Sequence, residues 1–468
     1  MLAGCRVRPS GIMKPVALGI YISVPFCRTK CSFCNFASGV VSRALFTRYV
    51  ERVCADIEAA DRLAQEMGAK FEPEVDSIYL GGGTPTVLDP ADFERILAAL
   101  RAKFRVSPGA EITVECAPGT LKPEMLEALV RCGVNRASLG VQSFVDQESA
   151  SVGRLHTRTI VLEDLARLRA AGIGNISIDL IAGLPHQTCE SWEHSLAETV
   201  ASGAPHVSVY MLEVDEDSRL GRELIAGGTG YHAHFVPDDD LTADLYVQAC
   251  ERLNSSGIQH YEISNFARDA HSRAADHPIT RSPDHPIFAS RHNLKYWTRQ
   301  PYLGFGVDAH SMLPADSRQA RAAMEREITE YLEHAPNFGG ARESGDSNFY
   351  ARMGVESVRF STPDSLEAYL AAKPSERTEV TYSAAIEEAH FLGLRLNRGL
   401  RASELAERYG PEAATVFREQ VAELRSLGLI EIYDGATRLT ERGRLLSNEV
   451  FQRFIGAVAP AAARDKIV

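Results

Sequence analysis

Cys27, Cys31 and Cys34 stand at C-x3-C-x2-C spacing in YISVPFCRTKCSFCNF (21–36), directly after a short apolar run. Three thiols this close on one loop make a metal site. A structural zinc centre closes its tetrahedron with four protein ligands, usually as two separated pairs, and no second pair follows within about 20 residues. The other cysteines, Cys5, Cys54, Cys116, Cys132, Cys189 and Cys250, are scattered singly. Thiolates also hold iron–sulfur cubanes, and three of them leave one of the four irons without a protein ligand. That iron is open to a small molecule. A structural zinc site or an electron-transfer cluster is the alternative.

The run DSIYLGGGTPT (76–86) reads as a buried strand ending in Gly81, Gly82, Gly83, Thr84 and Pro85. Glycines let backbone approach a ligand with no Cβ in the way. The phosphate-binding patterns G-x4-G-K-[ST] and G-x-G-x-x-G are both absent. Taken alone, the run is as well explained by a tight turn.

The triplet, an aromatic before its last cysteine and the later GGGTPT together resemble the radical S-adenosylmethionine (SAM) superfamily. ECAPGT (115–120), SLGVQSF (138–144), GRLH (153–156), IDLIAGLPHQT (178–188), YEISNFA (261–267) and RHNLKYW (291–297) narrow the resemblance. They are similar to the branch that holds the oxygen-independent coproporphyrinogen III oxidases and their haem-chaperone relatives, over roughly residues 17 to 456. The resemblance implies a [4Fe-4S] cluster on Cys27, Cys31 and Cys34, with SAM chelated at the open iron. It implies that Tyr21 and Phe33 flank that site and that Gly82, Gly83 and Thr84 meet the methionyl end. Glu115, Gln142, Arg154 and Asp179 match positions that contact this SAM or a second one. A carboxylate suits a ligand carrying an ammonium and a sulfonium. Taken singly, Glu115 and Asp179 are equally well helix caps or salt-bridge partners, and Arg154 a surface cation. No catalytic acid, base or nucleophile is assigned.

Two departures from the branch stand out. Ser23 occupies the place of a usual histidine, and Ala117 that of a usual asparagine, which puts the tuning of the cluster in doubt but not its ligation.

These residues need a frame. From Leu18 to about Leu212, ALGIYISV, VDSIYL, EITVECA, RASLGVQ, NISIDLI and HVSVYML alternate with segments whose apolar residues recur at three and four. Six β–α repeats predict parallel strands with right-handed crossovers. The resemblance makes this an α/β fold, a partial (β/α)6 TIM-like barrel, and in barrels ligands meet the C-terminal strand ends. The expected organisation is an N-terminal extension (1–16), the partial barrel (17–235), a segment completing the barrel (236–375) and a C-terminal winged-helix-like α+β domain (376–468). Within the third part, residues 236–256 predict a capped helix, QHYEISNFA a strand, 268–290 an insertion and 340–365 a linker.

His271, His277, His285 and His292 fall close together. The first three suit a solvated loop rich in Asp and Pro. His292 lies in HNLKYW, the motif that the resemblance offers as a haem site, and imidazole is a good axial ligand. On the residues alone a core-packing histidine explains it as well. YLGFGVDAHSM (302–312) adds Gly304, Gly306 and His310 as a tight loop nearby. The C-terminal helices and hairpin show no basic recognition helix, so a lid or interaction surface is favoured over nucleic-acid binding.

The 468 residues are 45% hydrophobic, 24% charged and carry a net charge of −12, which suits a large globular chain and disfavours broad binding to nucleic acid or anionic membrane. No apolar run is long enough to span a bilayer, and residues 1–16 lack the apolar run of a secretory signal. Peripheral membrane contact is left open. Nine cysteines with no framework spacing read as thiols in a reducing compartment, the cytoplasm.

Three functions are weighed. The favoured one is a haem chaperone that binds the cluster, SAM and haem, takes electrons from a donor and passes haem to an acceptor protein. The second is the oxidase, which decarboxylates two propionate side chains by radical chemistry; its pattern carries a further cysteine where this chain has Phe36, and a longer N-terminal segment. The third, a simple iron–sulfur electron carrier, is opposed by the glycine run and the acids.

Overall fold

Alternate positions of the first apolar run face opposite ways, and the burial follows. Leu18, Ile20, Ile22 and Val24 are fully buried against Tyr49, Val50, Val53 and Ile57 of the helix Ala44–Glu58, while Tyr21 and Ser23 point the other way, into a cavity. The computed structural model, which describes residues 16–269, 285–316 and 354–456, repeats this plan. β1 (Leu18–Val24), β2 (Glu74–Gly82), β3 (Arg105–Cys116), β4 (Arg136–Gln142), β5 (Asn175–Ala182) and β6 (His206–Met211) lie side by side and parallel. Helices connect each strand to the next, so the six expected β–α repeats are present.

The sheet extends beyond them. β7 (Gln259–Glu262) and β8 (Asn265–Ala267) form a hairpin whose second strand runs antiparallel to β6. The expectation of one strand over QHYEISNFA is therefore corrected: the Glu262 carboxylate accepts the Ser264 N–H at 3.1 Å and an Asn265 amide, which folds the chain back. On the other side β9 (Tyr302–Gly306) pairs parallel with β1, followed by antiparallel β10 (His310–Pro314), β11 (Val355–Ser361) and β12 (Glu376–Thr381). Among the described residues the twelve strands run 12-11-10-9-1-2-3-4-5-6-8-7 and their two edges do not pair, which leaves an open barrel. β11 also corrects the second half of the linker expected over 340–365, since Val355, Val358 and Phe360 are buried; residues 340–353, like His271 and His277, lie outside the described residues.

The C-terminal residues form helices Tyr382–Leu394, Ala402–Tyr409 and Arg418–Ser426 around a small sheet of β13 (Leu400–Arg401), β14 (Ile430–Tyr433) and β15 (Ala436–Leu439). Positive φ at both Asp434 (48°) and Gly435 (73°) makes the tight hairpin turn of the wing. Leu394, Leu405, Phe417, Leu424, Val450 and Phe454 give this unit its own core. The buried Arg299 guanidinium ties it to the sheet, with Glu388 at 2.8 Å, Tyr409 at 2.8 Å and Glu356 at 3.1 Å.

Candidate functional site

The cysteine loop leaves β1 at its C-terminal end and is laced to the end of β2. Gly83 N–H donates to Val24 O and Thr84 N–H to Phe26 O, both at 2.7 Å. A Cβ on Gly83 would stand 2.6 Å from Phe26 O and 2.8 Å from Val24 O, so the third glycine allows two backbones to touch. Cys27 N–H closes the loop on Gly39 O at 3.0 Å, and Lys30 Nζ holds the Phe36 and Ser38 carbonyls at 3.0 Å. Ser32, between two cysteines, donates its N–H to Val152 O at 3.1 Å and accepts the Leu220 N–H at 2.9 Å. Phe33 packs against Val152, Ile181, Leu184 and Leu212.

The three thiols are free. Arg154 Nη1 points at Cys31 Sγ from 3.4 Å, and the Thr84 hydroxyl lies 3.9 Å from Cys27 Sγ. Burial pushes the Cys34 thiol up and the Cys31 and Cys27 sulfurs add to it, with Lys30 opposing. Among the described residues no three His, Cys, Asp or Glu side chains converge on a point that a single ion would occupy. The Arg154 and Lys30 cations beside the thiols suit anionic thiolates, the form that binds metal.

Beside the loop lies a cavity of about 320 Å³ lined by Tyr21, Ser23, Phe36, Ala37, Gly82, Glu115, Tyr296, Tyr302, Asp308 and His310. Its size falls in the range of small-molecule sites. Burial pushes the Glu115 carboxyl up to about 7; hydrogen bonds from Tyr79 and the Gly82 amide oppose the rise, and Asp179 adds to it. Tyr79 donates to Glu115 Oε1 at 2.9 Å, and a Cβ on Gly81 would stand 2.8 Å from that oxygen. The first glycine therefore makes room for the acid.

The expected site residues separate into groups. Tyr21, Gly82 and Glu115 share the cavity, and Arg154 reaches Cys31 and the Gly140 carbonyl. The amides of Gly83 and Thr84 are bonded within the protein. Gln142 ends β4 at φ 68°, a strained position for a residue with a side chain. Asp179 sits inside the barrel, accepting from the Ser138 and Ser177 hydroxyls at 2.9 and 3.1 Å. Ser23 is buried at the cavity wall, its carbonyl bonded to the Tyr49 hydroxyl at 2.6 Å.

His292 lies elsewhere. The helix Arg291–Trp297 crosses the N-terminal ends of β1 to β3: Arg291 N–H meets Glu111, and Lys295 Nζ meets Ala17 O and Asp76. His292 is fully buried there, with Nδ1 3.1 Å from Ser77 Oγ and Nε2 2.9 Å from the Tyr296 hydroxyl. Burial, then Lys295, lowers its pKa to about 3, so the ring is neutral. Both nitrogens are engaged, which is the core-packing arrangement. Tyr296 passes on to the cavity, and Trp297 stacks under Arg395 at 4.1 Å, facing the C-terminal unit.

Apart from Glu115 and Asp179, the polar barrel interior went unread in the sequence. Burial raises the carboxyl pKa of Glu111, Glu115 and Asp179, and buried Arg136 lies among them and opposes the rise, its Nε having no partner among the described residues. Ser177 Oγ reaches His206 Nδ1 at 2.8 Å and His206 Nε2 the Tyr261 hydroxyl at 2.9 Å. The signal was the two-residue period of polar positions in SIYLG, EITVE and RASLG. A larger, polar cleft of about 530 Å³, lined by residues including Asn254, His260, Arg398 and Arg444, sits between β7 and the wing, away from the cysteines.

A three-thiol loop at the C-terminal mouth of an open parallel barrel, next to a cavity holding an acid, defines a radical SAM protein, and the Radical SAM superfamily profile matches residues 21–198. The HemN C-terminal domain profile matches residues 380–446. The chain is 30% identical over 440 residues to the Heme chaperone HemW of Bacillus subtilis, covering 93% of this chain and 98% of that protein. It is 29% identical over 317 residues to the Heme chaperone HemW of Escherichia coli, covering 67% of this chain and 75% of that one. The chain belongs to the HemW family of radical SAM proteins. The solved coproporphyrinogen III oxidase (HemN) of Escherichia coli superposes with a TM-score of 0.69 at 23% identity, covering 94% of this chain and 90% of that one, a likeness of fold alone. As a radical SAM protein the chain takes a [4Fe-4S] cluster and SAM. No helix of the described residues is long and apolar enough to cross a membrane.

Proposed function

We propose that this protein is a haem chaperone: it holds a [4Fe-4S] cluster on Cys27, Cys31 and Cys34, binds SAM beside it, and passes haem to an acceptor protein. The carrying observation is Phe36. Where the oxidase pattern has a further cysteine, this chain presents a phenyl ring, 65% exposed, on the cavity rim. The names of the full-length relatives support the same reading.

Tyr21, Gly82 and Glu115 form the SAM wall, with Glu115 facing the cationic end and Arg154 steadying Cys31. Phe33, Gly83 and Thr84 keep the loop in place, and Gln142 and Asp179 complete the polar lining. When bound, the reduced cluster supplies one electron to the sulfonium. His292 would reach haem only if its bonds to Ser77 and Tyr296 opened, which favours a haem site elsewhere. The described residues of 17–235 and 236–375 build the barrel together with β12, and those from Tyr382 onward present a surface to the acceptor. The free thiols favour the cytoplasm, where an electron donor is also required.

The test is anaerobic reconstitution with iron and sulfide, then hemin titration alongside a coproporphyrinogen-consumption assay. Hemin binding without consumption supports the chaperone. Consumption assigns the oxidase activity instead, and failure to bind hemin removes the reading.

A further inference from the structure

We propose that His186 and His232, with Phe235, Tyr231, Leu224 and Ile225, form the haem-binding surface, His232 ligating iron through Nε2 and His186 positioning it. The inference rests on the haem-chaperone reading but names a site that the HNLKYW motif does not include.

Two loops make it. Pro185 and His186 follow β5 at the same strand ends as the cysteine loop. His186 N–H donates to Phe235 O at 3.0 Å, which docks the 232–235 turn against it. His186 Nε2 then faces His232 Nδ1 at 3.2 Å. With the proton on His232 Nδ1 the bond runs from His232 to His186, leaving the His232 Nε2 lone pair without a hydrogen-bond partner among the described residues. An imidazole that ligates a metal through one nitrogen is oriented by an acceptor at the other. His186 is able to accept, because burial and the neighbouring His232 and His234 lower its pKa and keep it neutral.

The surroundings suit a porphyrin face. Phe235 is 46% exposed, with His186 and His234 rings at 4.0 and 4.1 Å. The helix Arg219–Ala226 packs beside this turn and exposes Leu224 and Ile225. Its Glu223 carboxylate accepts the Tyr231 N–H at 2.7 Å and the Ala233 N–H at 3.1 Å, fixing the turn to the helix. Exposed apolar and aromatic groups clustered in this way mark a binding surface. A free divalent ion is poorly served, since among the described residues no third ligating side chain converges here. Haem brings four nitrogens of its own and needs one axial imidazole. Positive φ at both His186 (69°) and His232 (61°) holds the pair in a strained backbone, the kind of position that function retains.

The test uses the full-length reconstituted protein and hemin. His232→Gly fits the positive φ, so the fold is kept, and hemin affinity should fall at least about tenfold, with the Soret band moving to that of weakly bound hemin. Added imidazole should restore the band. His186→Phe should keep most of the affinity but lower the iron–histidine stretching frequency, a change that packing alone would not produce. If wild type binds hemin and His232→Gly binds it equally, this site is refuted and the chaperone reading stands. If His232→Gly loses zinc binding while hemin binding persists, the pair is an ion site and the inference fails. If wild type does not bind hemin, the chaperone reading falls and the inference with it.

Discussion

Raising the pH from about 6 to about 8 should tighten SAM binding about tenfold through Glu115 alone. Its carboxyl is held at about 7. The acid is then ionised in about a tenth of molecules at pH ~6 and about nine-tenths at pH ~8, and a cation that binds the carboxylate gains ~1.4 kcal/mol. Stability of the ligand-free protein moves the other way. A folded pKa raised from 4.5 to about 7 means that the folded state keeps its proton longer than the unfolded chain. Stability is therefore highest below pH ~4.5 and falls by up to roughly 3 kcal/mol as pH rises to ~7, less to the extent that water reaches the carboxyl from the cavity. The assay is calorimetric titration of SAM into anaerobic reconstituted protein in two buffers of different ionisation heat, which also counts released protons. Glu115→Gln is the control. It should bind weakly at every pH, and any slope that survives in it belongs to the ligand's own α-amine, which titrates at about 7.7–8.0. Equal slopes in wild type and Glu115→Gln would refute the role of this acid.

Gly83→Ala should lower the iron content after reconstitution and cost about 1–3 kcal/mol in denaturant unfolding, because the added methyl meets the Phe26 and Val24 carbonyls at 2.6 and 2.8 Å. His292→Ala should cost about 2–4 kcal/mol from a cavity and two lost hydrogen bonds, yet leave hemin affinity unchanged; a lost Soret band would return His292 to the haem site. Arg299→Ala strands the Glu388 and Glu356 carboxylates and should cost about 3–5 kcal/mol, read as easier proteolysis between the sheet and the C-terminal unit.

The cysteine loop and the six strands were legible because each carries a strong local signal, a fixed thiol spacing in one case and β-branched runs in the other. β9 was not. YLGFG contains two glycines, and only its parallel pairing with β1 makes it a strand. The turn inside QHYEISNFA was hidden because it depends on one carboxylate, Glu262, folding back on its own chain. Within the site, Glu115 and Tyr21 were found by motif, but Arg136 was not, since an arginine between Asn135 and Ala137 looks like a surface residue until the opposite carboxylates are placed. Gly83 and Thr84 show the converse. Their motif position was legible, but whether their amides face a ligand or the neighbouring strand depends on how close β1 and β2 approach. His292 carried both explanations from the start, and its bonds to Ser77, far off in the chain, and to Tyr296, one turn along its own helix, favour the packing role.

The short helix Arg291–Trp297 acts as a stopper. His292 and Tyr296 are wedged between β1, β2 and the cavity, on the side away from the cysteine loop. A ligand held beside the cysteines therefore meets a plug at that end, and the loops at the C-terminal strand ends are the ones that frame it.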